Sequence, residues 1–130
     1  SMTIAIICTA LLGALVFGLG FVVSWMRGRT GVNFGYTPNP TDRLYKWVRA
    51  HGNTTEYAPM LAVLILLVGS REPSTWALWM MGIATASRYL HTLGLILAPS
   101  LDRPEPLRFL GALGTYLCGL GLCASAFLTL

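Results

Sequence analysis

A long run without any charged residue, from Thr3 to Met26, is the feature that most constrains what this chain can fold into. A helix of about 20 predominantly apolar residues is long enough to cross the hydrocarbon core of a bilayer. A secretory signal peptide is the competing interpretation, but its shorter apolar core follows positive charge and precedes a small-residue cleavage site. Here the positive charges, Arg27 and Arg29, come after the run. The run therefore predicts a retained transmembrane helix.

The composition extends this prediction to the whole chain. Of its 130 residues, 55% are hydrophobic and 11% are charged, whereas a typical soluble domain has about 25% charged residues. A soluble core of this size could not bury so much apolar surface. Apolar stretches separated by polar turns predict an all-α integral membrane fold, a four-transmembrane-helix bundle in a single domain over residues 2–130. The predicted helices cover about 3–26, 42–70, 74–97 and 107–129.

The distribution of Lys and Arg indicates how the bundle is oriented. Most of them belong to the first and third connections or their flanks, whereas the opposite side has only Arg71. By the positive-inside rule, loops 27–45 and 98–107 are cytoplasmic and both termini face outward. The net charge of +4 forms no basic stripe, so nucleic acid is not a predicted partner. The three cysteines lie in apolar stretches without metal-ligand spacing, and no metal site is predicted.

The second predicted helix carries polar residues that do not suit contact with lipid. Arg49, Asn53 and Glu56 recur at i, i+4 and i+7, and therefore share one face. Such residues normally turn towards a bundle interior or a water-filled cavity. The topology places three more polar residues at the same end of the bundle: Arg88 and His91 on the third helix and Arg108 on the fourth. We therefore expect these six side chains to converge.

Two interpretations of this convergence remain open. The residues could form a buried polar cluster that only holds the helices together, since such pairs stabilise membrane bundles. They could instead form a ligand site. Three arginines face a single carboxylate, that of Glu56, and an anionic ligand or lipid headgroup would balance the excess charge. The surplus of cations favours the ligand site.

The segment RAHGNTTEYAP, residues 49–59, resembles the R-x-x-x-N-x-x-E-x-x-P signature of the MAPEG family, the membrane-associated proteins in eicosanoid and glutathione metabolism. The stretches RYLHT at 88–92 and PLR at 106–108 look like weaker motifs of the same family. The likeness covers nearly the whole chain and is to short bacterial members similar to microsomal glutathione transferase. It implies a homotrimer in the bacterial inner membrane, with glutathione bound between neighbouring subunits.

The resemblance also implies roles for individual residues. Glutathione, as co-substrate, would be bound by side chains of the second and third helices: Arg49, Asn53, Glu56, Tyr57, Arg88 and His91. Of these, Glu56 would take its amino group. Arg108 would be the catalytic residue that stabilises the glutathione thiolate, because a nearby guanidinium favours the ionised thiol. Arg103 is a rival candidate for that role.

The implied activity is that of a glutathione transferase or peroxidase acting on hydrophobic electrophiles from the bilayer. The implied partners are further copies of the chain, glutathione, and a lipid or hydrophobic small molecule. The alternative is a non-catalytic membrane protein that binds a lipid or glutathione, with the polar cluster serving assembly.

Overall fold

The computed structural model describes residues 2–130, which form four α-helices and, within that range, no β-strand. The helices are α1 (Met2–Thr30), α2 (Arg43–Gly69), α3 (Thr75–Leu97) and α4 (Pro106–Phe127). The predicted all-α, four-helix architecture is confirmed.

Helix α1 continues beyond the apolar run that predicted it. Arg27 and Arg29 belong to its last turn, where positive charge interacts favourably with the carbonyl end of the helix dipole. The helix ends at Gly31, which has a φ of +75° and whose N–H donates to the carbonyl of Arg27 at 2.9 Å. This is the left-handed glycine cap that commonly stops a helix. The helix therefore ends four residues after the predicted end at about residue 26, because flanking arginines do not end a helix.

The other helices begin at side-chain caps. The side chains of Asp42 and Ser74, at the predicted starts of the second and third helices, accept from the backbone N–H groups of Tyr45 and Ala77. Helix α4 begins at Pro106, one residue before its predicted start, because a carboxylate oxygen of Glu105 accepts from the N–H of Arg108 at 2.7 Å. Proline suits the first helical position, where its missing N–H would have no helical partner.

Successive helices run antiparallel, as their contacts show. Gly69 at the end of α2 lies against Ala5 near the start of α1, and Gly94 near the end of α3 lies against Arg108 at the start of α4. One end of the bundle, here called the loop end, carries the connections 31–42 and 98–105. These connections touch, since the N–H of Leu101 donates to the carbonyl of Pro40 at 2.8 Å. The other end, here called the turn end, carries the short connection 70–74.

The outer surface of the bundle is largely apolar. By length and composition, α1 and α4 could each span a membrane, and only 28% of the apolar stretch in each is buried. Large side chains such as Phe17, Phe21 and Leu120 are among the exposed residues. The core helix of a soluble protein would instead be mostly buried, so the exposure favours contact with lipid. Helices α2 and α3 carry most of the polar residues of the site described below.

Candidate functional site

A buried arginine joins three of the helices. Arg88 on α3 is only 1% exposed. Its guanidinium donates to the side-chain oxygen of Asn53 on α2 and, at 3.3 Å, to the hydroxyl of Thr115 on α4. The guanidinium carbon lies 5.1 Å from the centre of the Tyr57 ring, which is within cation–π distance. We call these four residues the Arg88 cluster.

The partners of Arg88 are all neutral, which leaves its charge without a counterion inside the cluster. Asn53 and Thr115 accept hydrogen bonds, and Tyr57 offers only its ring face. The buried Nε of Arg88 has no hydrogen-bond partner among residues 2–130. A buried charge normally needs an opposite charge and a full set of hydrogen bonds. The Arg88 cluster is therefore a place where an anion would be stabilised.

Arg49 and Glu56 form an ion pair beside the Arg88 cluster. The Arg49 Nη2 lies 3.7 Å from the Glu56 Oε1, and the two side chains are 42% and 56% exposed. The residues are seven apart, about two helical turns, so both project from the same face of α2. Exposed pairs of this kind contribute little to stability. Both groups are therefore available to exchange this contact for a ligand.

His91 lies where the arginines of the loop end approach one another. Its imidazole is within electrostatic range of Arg49, Arg88 and Arg108. Its Nδ1 is buried and, in the described part of the chain, has no hydrogen-bond partner. The structure thus brings together the six polar residues expected to converge, since Asn53 binds Arg88 and Glu56 binds Arg49.

A pocket, here called the link pocket, opens at the loop end between His91 and the connection from α3 to α4. Its volume is about 770 Å³, and both Arg103 and Arg108 line it. The Nη1 of Arg108 donates to the carbonyls of Leu101, at 3.2 Å, and of Arg103, at 3.5 Å. Arg108 therefore also holds the connection in place, while the exposed Arg103 reaches the pocket from that connection.

An apolar groove, here called the α2–α4 groove, begins next to the Arg88 cluster. It has a volume of about 420 Å³, and Glu56 and Tyr57 line its polar end together with Thr115 and Tyr116. The Tyr57 and Tyr116 hydroxyls are 3.1 Å apart, so one donates to the other. Side chains such as Leu64 and Leu120 line the rest. Polar and apolar binding surfaces are thus contiguous.

Thr115 and Tyr116 are the residues of this region that the sequence pattern did not predict. They form a polar pair within an otherwise apolar stretch of α4, seven and eight residues after Arg108. Seven residues are about two helical turns, so Thr115 lies on nearly the same face of α4 as Arg108. That spacing from Arg108 is the sequence signal from which Thr115 could have been predicted.

Comparison with known protein families gives one finding that covers nearly the whole chain. The family model described as "MAPEG family" matches residues 5–128. No curated protein matches the chain. Within residues 2–130, no group of three or more His, Cys, Asp or Glu side chains could hold a metal ion.

Proposed function

The chain belongs to the MAPEG family of membrane proteins, and on that premise we propose that it is a glutathione-dependent enzyme acting on hydrophobic electrophiles and hydroperoxides from the bilayer. The observation that carries the proposal is the charge of Arg88, buried at 1% exposure with only neutral side chains as partners. Glutathione has two carboxylates and one ammonium group, so its net charge is negative. It supplies the anion that the Arg88 cluster lacks.

The residues around Arg88 match the two kinds of charge on glutathione. Glu56 is exposed enough to leave Arg49 and bind the ligand's ammonium group. Arg49 and Asn53 then bind the carboxylate and amide regions, for which a guanidinium and a side-chain amide are suitable donors. Tyr57 and His91, which adjoin Arg88, complete the binding surface.

The arginines of the link pocket suit the activation of the thiol. A guanidinium beside the sulfur favours the thiolate, which is the nucleophilic form. Arg108 is in the first turn of α4, where the helix dipole adds partial positive charge. In conjugation the thiolate sulfur attacks the electrophilic carbon, a carbon–sulfur bond forms, and the leaving group departs with its electron pair. We assign the thiolate-stabilising role to Arg108, with Arg103 as the rival in the same pocket.

The α2–α4 groove suits the second substrate, because apolar side chains line most of it and it begins at Glu56 and Tyr57. We further propose that all four helices span the bilayer, with the loop end cytoplasmic, both termini outward, and the bacterial inner membrane as the location. The basic side chains of the loop end support this orientation. Assembly as a homotrimer, with glutathione between subunits, is part of the same proposal.

A non-catalytic function is the second candidate, and one observation favours it. The hydrogen bonds of Arg88 connect α2, α3 and α4, as a cluster that serves only assembly would do. In that case the protein binds glutathione or a lipid without chemistry.

One experiment separates these functions. Purified protein in detergent is titrated with glutathione while thiolate absorbance is followed, and turnover is then measured with an aryl halide. Thiolate formation with turnover supports the enzyme, whereas glutathione binding without turnover supports the second candidate. Absence of both contradicts the enzyme and leaves only the lipid-binding form of the second candidate.

Paired Arg108→Ala and Arg103→Ala variants test the assignment of the thiolate-stabilising residue. We expect turnover to fall in Arg108→Ala. Loss of activity only in Arg103→Ala would overturn that assignment.

A further inference from the structure

A third cavity, here called the α1–α2 cleft, opens at the loop end between the end of α1 and the start of α2. Its volume is about 260 Å³. It shares no lining residue with the α2–α4 groove or the link pocket. The side chains that decide its chemistry are Trp25, Met26, Arg29, Asp42, Arg43 and Leu44.

Two arginines in the cleft outnumber its one carboxylate and form no ion pair with it. The guanidinium carbon of Arg29 lies 5.4 Å from the centre of the Trp25 ring, a cation–π contact that leaves its hydrogen-bond donors free. In the described part of the chain, neither Arg29 nor Arg43 takes part in an ion pair. The nearby Asp42 is engaged as the cap of α2, accepting from the N–H of Tyr45 at 2.9 Å. The two arginines and one aspartate leave an excess of one positive charge.

The neighbouring Arg27 differs from Arg29 and Arg43 because its guanidinium is bound to the backbone. Its Nη1 donates to the carbonyls of Val32, at 3.1 Å, and Gly35, at 2.9 Å. Arg27 thereby holds the loop that follows α1. No such backbone contact engages the guanidinium of Arg29 or Arg43 within residues 2–130. The unused donors belong to the arginines that line the cleft.

Apolar side chains form much of the remaining wall of the cleft. Met26 and Leu44 are 6% and 4% exposed and form its inner wall. Trp25 is 55% exposed, and tryptophan side chains near the ends of membrane helices collect at the lipid–water interface. A cleft with two cations over an apolar wall matches a molecule that has a phosphate next to hydrocarbon. Basic pockets between membrane helices bind anionic headgroups for this reason.

We propose that the α1–α2 cleft binds an anionic phospholipid, with its phosphate between Arg29 and Arg43 and its first acyl carbons against Trp25 and Met26. The proposal rests on membrane location and not on glutathione chemistry. Each arginine contributes about 1 kcal/mol near a membrane surface, which corresponds to about fivefold in affinity. Removing both should therefore weaken binding of an anionic lipid by about thirtyfold.

The test is native mass spectrometry of the purified protein, released from detergent and titrated with phosphatidylglycerol or with phosphatidylcholine of the same acyl chains. The wild-type protein should retain phosphatidylglycerol in preference to phosphatidylcholine. Arg29→Gln and Arg43→Gln should each reduce that preference about fivefold, and the double variant should reduce it about thirtyfold. Arg71→Gln is the matched control, since it removes one charge at the turn end.

Three outcomes would overturn the proposal. One is a preference for phosphatidylglycerol that is unchanged in the double variant. Another is an equal loss in Arg71→Gln and Arg29→Gln, which would indicate an effect of total charge. The third is displacement of the lipid by glycerol phosphate at similar concentration, which would indicate a site for soluble phosphates. Glutathione binding, measured in parallel, should be unchanged in all variants, and this shows that they are folded.

Discussion

The two faces of α4 differ in how closely other helices approach them. Towards α3 there is no room: a Cβ added to Gly111 would lie 2.6 Å from the backbone nitrogen of His91, and one added to Gly114 would collide with the Ser87 hydroxyl. Towards α2 there is space. A Cβ on Gly119 would meet only a methyl carbon of Leu61 at 3.7 Å, and the α2–α4 groove opens beside it.

This difference separates the part of the site that is rigid from the part that can receive a ligand. Close helix contact through glycine holds α3 and α4 together as one unit, and that unit carries Arg88, His91 and Arg108. The face towards α2 leaves a volume of about 420 Å³ bounded by Tyr57 and Tyr116. Changes at the α3–α4 contact should therefore lower stability, whereas changes at the groove should alter binding.

The largest expected effect is that of Gly111→Ala. The added methyl group would overlap the backbone of α3 at His91 and at the carbonyl of Ser87, 2.7 Å away. Neither is a flexible side chain, so the helices must move apart. We expect a loss of about 3 kcal/mol in the free energy of unfolding, near the upper end for overpacking. Reversible unfolding in mixed micelles measures it.

Gly119→Ala is the matched control on the other face of α4. Its nearest neighbour is at ordinary contact distance, and alanine forms helix better than glycine by about 1 kcal/mol. We expect unchanged or slightly raised stability. Equal destabilisation by the two substitutions would contradict the difference between the faces.

The next largest effect is that of Arg88→Met, which removes the side chain on α3 that donates hydrogen bonds to both α2 and α4. Thr115 would lose a hydrogen-bond donor, and Asn53 would be left with an unpaired side-chain oxygen. We expect a loss of about 2 kcal/mol in stability, together with loss of glutathione binding. The conservative Arg88→Lys keeps the charge but lacks the planar guanidinium that donates to both Asn53 and Thr115. It should therefore recover only part of the stability lost in Arg88→Met. Unimpaired glutathione binding in Arg88→Met would exclude this cluster as the anion site.

The fold could be predicted from sequence because apolar runs and capping residues are local signals. Asp42 and Ser74 were recognisable as helix starts from their side chains. The end of α1 and the start of α4 were harder to predict from the sequence. Gly31 rather than the preceding charges stops α1, and Glu105 caps α4 although glutamate is not among the preferred capping residues.

The candidate site could be predicted as far as helical periodicity and the order of the helices determine it. Arg49, Asn53 and Glu56 were found because their spacing puts them on one face. The pairing of Arg88 with Thr115 depends on how far α4 slides along α3, and no local pattern encodes that register. The hydrogen bonds of Arg108 to Leu101 likewise depend on how the connection folds back.

The third effect concerns the exposed ion pair of α2. Arg49→Gln and Glu56→Gln should each lower the free energy of unfolding by less than about 1 kcal/mol, because the pair is partly exposed to solvent. Each should weaken glutathione binding about tenfold, the effect of losing one charge-assisted hydrogen bond. Isothermal titration calorimetry with glutathione and an unfolding measurement on the same preparations compare the loss of affinity with the loss of stability. A variant that unfolds readily but binds normally would assign the pair to structure instead.

The smallest effect is that of Tyr116→Phe, which tests whether the groove serves the second substrate. The substitution removes one neutral hydrogen bond, to the exposed hydroxyl of Tyr57, and keeps the ring. Stability should change by less than about 1 kcal/mol, and glutathione binding should stay within twofold because the Arg88 cluster is intact. If the hydrophobic acceptor lies in the α2–α4 groove, its KM should rise severalfold, most for acceptors that carry an oxygen near the reacting carbon. A change in glutathione affinity with unchanged acceptor KM would place Tyr116 in the glutathione site and leave the groove without an assigned substrate.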